Sequence, residues 1–250
     1  MKKLIFLFAI IGLLASCKKE SQSQKYKEIY NKWSSEMDSI NNGHDEALSI
    51  MDGFGQKIDN HKKSIREFGA YIDSTKLVIA SLKGKSKQKE VTELEGKILE
   101  VCNKNMKKHE HFGVFLNNLS ALQGVFENKP FVITALPEEA AIKKFSSLDE
   151  AVTFWTGEMA AINEGHDKAL GIIKELKGHI HHHQKEIAGF TQKIEELKGK
   201  ADIAAKDKKD EELKAIEADL ENNYALNSKK HAHFLGFLEN LKAVQQQFEN

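Results

Sequence analysis

The fold is decided by residues 26–51, YKEIYNKWSSEMDSINNGHDEALSIM, and by the stretch that continues from them to Leu82. Apolar side chains recur along this stretch at intervals that alternate between four and three residues. A 3.5-residue period sustained over about eight heptads is typical of a coiled-coil-like helix with one buried seam. After the polar segment 84–87, a second apolar series continues to Phe126. The pattern predicts a long antiparallel helical hairpin.

The hairpin is encoded twice in tandem. The shift that carries Trp33 onto Trp155 aligns the chain with itself without a gap, and about a third of the aligned pairs are identical. We therefore expect helical repeat 1 at residues 26–128 and helical repeat 2 at residues 148–250. No segment has the alternation of a strand, so the sequence predicts an all-α fold of two tandem long antiparallel helical hairpins.

Two features set the arrangement of these hairpins. Both prolines, Pro130 and Pro137, lie in the connector at residues 129–147, where they stop helix formation. Hairpins packed side by side would form an elongated four-helix bundle, and hairpins swung apart on the connector are the alternative. Gly43 and Gly165 could interrupt the first helix of each repeat, but the seam keeps its phase there and favours a bend over a turn.

The N-terminus has the pattern of a secretion signal at residues 1–16. Two lysines precede an apolar run that is too short to span a bilayer. Leu14-Ala15-Ser16-Cys17 resembles the lipobox of bacterial lipoproteins. The resemblance covers residues 1–17 and implies cleavage before Cys17, a diacylglycerol on its sulfur and an acyl chain (palmitate) on its amine. An ordinary secretory peptide with a chance cysteine is the alternative.

The resemblance also implies a location. Residues 17–25 form a polar tether after the lipid. Lipoproteins of this kind that lack an aspartate after the cysteine usually reside in the outer membrane. We therefore expect a bacterial cell-envelope protein held on the outer membrane, at either face, with the membrane as its partner through the lipid anchor.

Composition and motifs exclude several classes of function. The 37 basic and 37 acidic residues balance, so there is no basic excess to bind nucleic acid. After lipidation only Cys102 remains, so no intrachain disulfide can form. The chain has no His-Glu-x-x-His, Gly-x-Ser-x-Gly, phosphate-loop or Cys-x-x-Cys motif, which favours a protein without enzymatic activity.

The histidines are the main chemical signal, because all four in repeat 1 recur in repeat 2. A hairpin that turns near Lys85 places His61 level with His109, and Asn105 lies one turn before His109. Imidazole is a common ligand for zinc, copper, nickel and iron, and such sites form inside helical bundles. Two packed hairpins would pool the layer into one metal or haem site. The candidate ligands are His61, His109, His111, His183, His231 and His233.

A second candidate layer contains His44-Asp45 and His166-Asp167, next to the glycines. His44 is about 25 Å along the helix from His61, so the sequence places the two in separate layers. In repeat 2, His179 and His183 have a spacing that can chelate a metal. The alternative for all of these residues is a hydrogen-bonded core histidine that fixes helix register.

We therefore expect a lipid-anchored, non-enzymatic helical lipoprotein that acts as a binding or interaction module. The first alternative is a protein that sequesters or delivers a transition metal or haem through the histidines. The second is a structural spacer or adhesin. The sequence identifies neither a ligand nor a protein partner.

Overall fold

The two heptad series fold as long helices, and the expected all-α class is confirmed. The computed structural model describes residues 25–83 and 86–249, and these residues contain no strand. The four helices are α1 Lys25–Leu82, α2 Gln88–Val125, α3 Leu148–Lys206 and α4 Asp210–Glu249. The signal, Cys17 and the tether as far as residue 24 lie outside the described residues.

Local chemistry determines several helix ends. At the start of α3, the Glu150 amide donates a hydrogen bond to the Ser147 hydroxyl (3.3 Å), as at an N-cap. Helices α2 and α3 are followed by residues with positive φ, Asn128 (59°) and Lys208 (56°). The amide after each of these residues donates back to a carbonyl of the last helical turn. α1 and α3 continue without interruption through Gly43 and Gly165.

The described chain divides into two compact units, and each unit contains parts of both repeats. The smaller unit comprises residues 25–36 and Gly189–Asn227. In it, Trp33 packs edge-on against Phe190, and its indole N–H donates to the Thr191 hydroxyl (3.1 Å). The Tyr26 hydroxyl donates to Asp202, and burial raises the pKa of Tyr26 to about 12.

The larger unit comprises Met37–Ala188 and Ser228–Asn250, of which residues 84, 85 and 250 are not described. All four helices contribute side chains to one core here, so the two hairpins pack against each other in this unit. The largest of these core side chains are Met51, Phe54, Phe112, Phe115, Phe234 and Phe237. A second core lies between α1, α2, the connector and the start of α3.

The connector runs back beside α2, because α2 and α3 point the same way. The Asn118 side chain exchanges two hydrogen bonds with the backbone of Thr134, and Asn103 does the same with Phe145. A short 3-10 helix, Glu139–Ala141, lies between these two anchors, and Ile142 is buried just after it. The extended connector expected from the prolines is therefore fastened at both ends.

Candidate functional site

The larger unit contains two clusters of three histidines, one ring of each coming from a different helix. In the first, which we call cluster A, His44 on α1 faces His183 on α3, with 2.6 Å between Nε2 and Nδ1. The His231 ring on α4 stacks on His183 at 5.9 Å between centroids. Phe234 covers the group, 4.7 Å from both His44 and His183.

Cluster B is the duplicate of cluster A. His61 on α1 faces His166 on α3, with 2.7 Å between Nδ1 and Nε2. Phe112 on α2 stacks on His61 at 4.6 Å and contacts His166 at 4.7 Å. His109 lies against Trp155, and its positive form would lower the pKa of His61.

This arrangement corrects the layers expected from the sequence. His61 and His183 do not join one pooled site. His61 pairs with His166 and His183 pairs with His44, and both of these partners belong to the second layer expected from the sequence. The hairpin register predicts His109 near His61, and in the structure the positive form of His109 would act on the pKa of His61. Which histidine layers meet depends on how far α1 is shifted along α3. The residue spacing within a single hairpin does not determine that shift.

The glycines next to the seam histidines lie under the phenyl rings that cover the two clusters. A Cβ atom at Gly43 would meet the Phe234 ring at 3.7 Å, and one at Gly165 would meet the Phe112 ring at 3.4 Å. The phenyl rings that cover the two clusters therefore lie directly over glycine backbone. Both distances are ordinary van der Waals contacts, so a small side chain such as alanine would also fit at either position.

Burial keeps the clustered imidazoles neutral. His44 and His166 are fully buried, and His183 is 8% exposed. Desolvation and, to a lesser extent, neighbouring histidines lower the pKa of His61 and of His183 to about 4. Burial also lowers the pKa values of the other four clustered histidines, which are His44, His109, His166 and His231.

Each of these six histidines also keeps one buried ring nitrogen without a hydrogen-bond partner among the described residues. An unsatisfied buried polar atom costs about 1–3 kcal/mol, and it commonly marks a place where a water, an ion or another ligand belongs. The unpartnered atoms are His44 Nδ1, His61 Nε2, His109 Nδ1, His166 Nδ1, His183 Nε2 and His231 Nδ1.

The remaining candidate residues lie outside the clusters. His233 is exposed, and His111 is half-buried beside α1. Asp45 is exposed, and Asp167 forms a surface ion pair with Lys62 (2.9 Å). The side-chain amides of Asn105 and Asn227 each donate to a carbonyl one turn earlier in their own helix, at 2.9 and 2.8 Å.

The described residues contain no group of three or more His, Cys, Asp or Glu side chains arranged to hold a metal ion. In each cluster two rings face each other closely, and the third ring of cluster A lies against one of them. To bind an ion between them, the facing rings would have to separate. None of the described helices includes a stretch that is long and apolar enough to cross a membrane.

A cavity of about 230 Å³ adjoins cluster B and was not anticipated from the sequence. Its inner wall includes His61, and its mouth is flanked by the exposed side chains of Lys57 and Lys108. The rest of the lining is His111 and the apolar side chains of Ile58, Phe112, Phe115 and Phe248. A sequence signal for this cavity exists: the histidine is identical in the two repeats, but the residues near it differ between them.

Comparison with known proteins identifies no relative. No family model, no curated protein and no solved structure matches this chain.

Proposed function

We propose that this chain is a lipid-anchored, non-enzymatic binding protein of the bacterial cell envelope, with its ligand site in the cavity beside cluster B. The anchor rests on Leu14-Ala15-Ser16-Cys17. The binding role rests on one observation, the cavity of about 230 Å³ whose lining includes the half-buried His61. Among the described residues that line it, none is a carboxylate, serine or cysteine, so its chemistry suits binding better than covalent catalysis.

The anchor is tested by mass spectrometry of the intact protein from bacterial membranes. We expect a mass that starts at Cys17 and includes a diacylglycerol and an acyl chain. Cys17→Ser should yield no lipid-modified species and should lose its membrane association. A wild-type protein cleaved at another position and free of lipid would refute the anchor.

The binding role is tested on the mature chain with Cys17→Ser, using toluene as a neutral probe of the cavity. We expect toluene to shift the NMR signals of His61 and Phe112, because apolar cavities of comparable volume admit small aromatic molecules. Phe115→Trp should reduce the shift by filling the cavity. An absence of shifts at the solubility limit of toluene would contradict the binding role and favour a spacer or adhesin.

A transition-metal site is the second candidate function, favoured by the six unpartnered ring nitrogens. Neutral imidazoles are the form that binds metal, and the lowered pKa values keep them neutral at pH 7. Elemental analysis of tag-free protein tests this candidate. Metal that is lost on changing His44 and His183 to leucine would support it, whereas metal-free protein that also fails to take up Zn²⁺ would exclude it.

A further inference from the structure

The two repeats differ in charge and packing at the cavity and at its duplicate, although their histidines match. In repeat 2, His179 occupies the position of Lys57, and it stacks on Phe126 at 4.4 Å with the ring planes 11° apart. Phe126 is the counterpart of Phe248, which lines the cavity in the larger unit. An aromatic ring thus already covers the phenylalanine of the duplicate site.

The charge at the duplicate site is also compensated. Lys230, the counterpart of Lys108, donates to Glu186 at 2.5 Å. This hydrogen bond lowers the pKa of Glu186 and keeps it ionised. The lysine of repeat 2 therefore has its counter-ion within the protein.

At the cavity, no described residue supplies this counter-ion. Ser64 stands where repeat 2 has Glu186, and Lys108 forms no ion pair with any described residue. Lys57 donates to the Phe248 carbonyl (2.9 Å), which holds a second positive charge at the mouth. Two lysines therefore face an apolar interior with no acidic residue among the described lining.

We propose that the cavity binds a small carboxylate with an apolar body about the size of a phenyl ring. The ring would lie against Phe112, Phe115 and Phe248. The carboxylate would lie at the mouth and accept hydrogen bonds from Lys108 and Lys57. This inference rests on the proposed function and specifies its ligand class.

Size and charge both favour this class. An engineered apolar cavity of about 150 Å³ binds benzene, so about 230 Å³ leaves room for a ring and a carboxylate. Hydrogen bonds from the two exposed lysines to a carboxylate would be charge-assisted, which makes them stronger than hydrogen bonds between neutral groups. An inorganic anion would satisfy the lysines but would leave the apolar interior empty.

The test is calorimetric titration of the Cys17→Ser mature chain with phenylacetate. We expect saturable binding to one site. Phenylacetamide, which has the same shape without the charge, should bind about tenfold more weakly, as should Lys108→Gln with phenylacetate. Sodium acetate should not compete, because it lacks the ring.

Ser64→Glu provides the sharpest variant, because it supplies the counter-ion that repeat 2 already has. It should weaken phenylacetate binding at least tenfold without lowering the melting temperature. Lys229→Gln, an exposed lysine on α4 outside the cavity lining, is the matched control and should leave the affinity unchanged.

The outcomes separate the ligand class from the binding role. If toluene binds but phenylacetate does not, the carboxylate proposal is wrong and the cavity is still a binding site. If neither binds, both proposals fail. Phenylacetate binding that is unaffected by both Lys108→Gln and Ser64→Glu would also overturn the inference, because the lysines would then play no part.

Discussion

Each facing histidine pair joins two imidazole nitrogens at 2.6–2.7 Å, so one ring donates its N–H and the other accepts it. Protonation of one ring would bury a charge among phenylalanines, and protonation of both would place two positive charges side by side. Neutral rings are therefore part of the folded state. Loss of hydration on burial accordingly lowers the pKa of each of the six clustered histidines.

The lowered pKa values of the clustered histidines predict a loss of folding stability on acidification. The folded pKa of His61 and of His183 is about 4, whereas the unfolded value is near 6.5. Between these values the unfolded chain binds more protons, so the stabilisation is complete above pH 6.5, declines as the pH falls, and levels off below pH 4. The decline should be up to about 2 kcal/mol for each of these two histidines, measured by urea unfolding from pH 7.5 to 5.

Matched variants separate the contribution of the histidines to the pH dependence of stability from that of the carboxylates. Changing His44 and His183 together to leucine removes one pair without leaving an unpartnered ring opposite, and it should reduce the pH dependence above pH 5 by about half, because the His61–His166 pair remains. His182→Gln changes a histidine whose side chain is 72% exposed, and it should leave the dependence unchanged. Equal pH dependence in the leucine variant and the parent would show that the pair does not titrate as described.

A second difference between the repeats predicts a stabilising substitution. The indole N–H of Trp33 donates to Thr191, but the N–H of Trp155 is buried without a hydrogen-bond partner among the described residues. Gly69 stands at the counterpart of Thr191, beside a cavity of about 170 Å³ that Trp155 also lines. The missing hydroxyl leaves Trp155 unsatisfied.

Gly69→Thr should supply this hydroxyl, with Gly69→Val as the isosteric control. A Cβ at this position would lie 2.7 Å from the Met159 methyl, which is the end of a flexible side chain and can move. We expect the threonine variant to be about 1–2 kcal/mol more stable than the valine variant in denaturant unfolding, because it satisfies the indole N–H. Equal stabilities would mean that a water already satisfies Trp155.

At the scale of elements, the connector depends on one buried side chain. Asn118 is fully buried, and its amide bonds the Thr134 backbone and Gln247. Asn118→Ala should cost about 2–3 kcal/mol in unfolding free energy, because it leaves backbone groups unpaired. Asn240→Ala, at the counterpart position in repeat 2 and half-buried, should cost less than about 1 kcal/mol. Similar costs for both variants would contradict the anchoring role.

Much of the arrangement of helices and connector could be predicted from the sequence. The heptad seam predicts α1 and α3 through their glycines, because the seam keeps its phase there. The prolines predict where α2 gives way to the connector. The sequence pattern could not predict that Asn103 and Asn118 fasten the connector, because an asparagine on a helix has the same appearance whether it faces solvent or another backbone segment.

At the scale of the whole chain, the duplication explains why there are two clusters. His44 corresponds to His166 and His61 to His183, so a packing of repeats that brings His44 to His183 also brings His61 to His166. The sequence contains this correspondence but not the stagger of α1 against α3, which depends on how the two seams interlock. For the same reason the cavity, which needs side chains from three helices, was not predicted.

The contact between histidines of different repeats predicts a measurable coupling energy. A double-mutant cycle on His44→Ala and His183→Ala should show a coupling energy of about 1 kcal/mol or more, because the rings touch. His61→Ala and His183→Ala should be additive within about 0.5 kcal/mol, since their rings belong to clusters about 25 Å apart along α3. Coupling only in the second cycle would restore the pooled layer expected from the sequence.

The crosswise pairing itself is tested most directly by nitrogen-15 NMR of the imidazole rings in the mature Cys17→Ser chain. We predict two scalar couplings across hydrogen bonds, between His44 and His183 and between His61 and His166, with the His61 and His183 rings neutral at pH 6. Rings that titrate near pH 6.5 and show no coupling between the repeats would contradict the buried pairs.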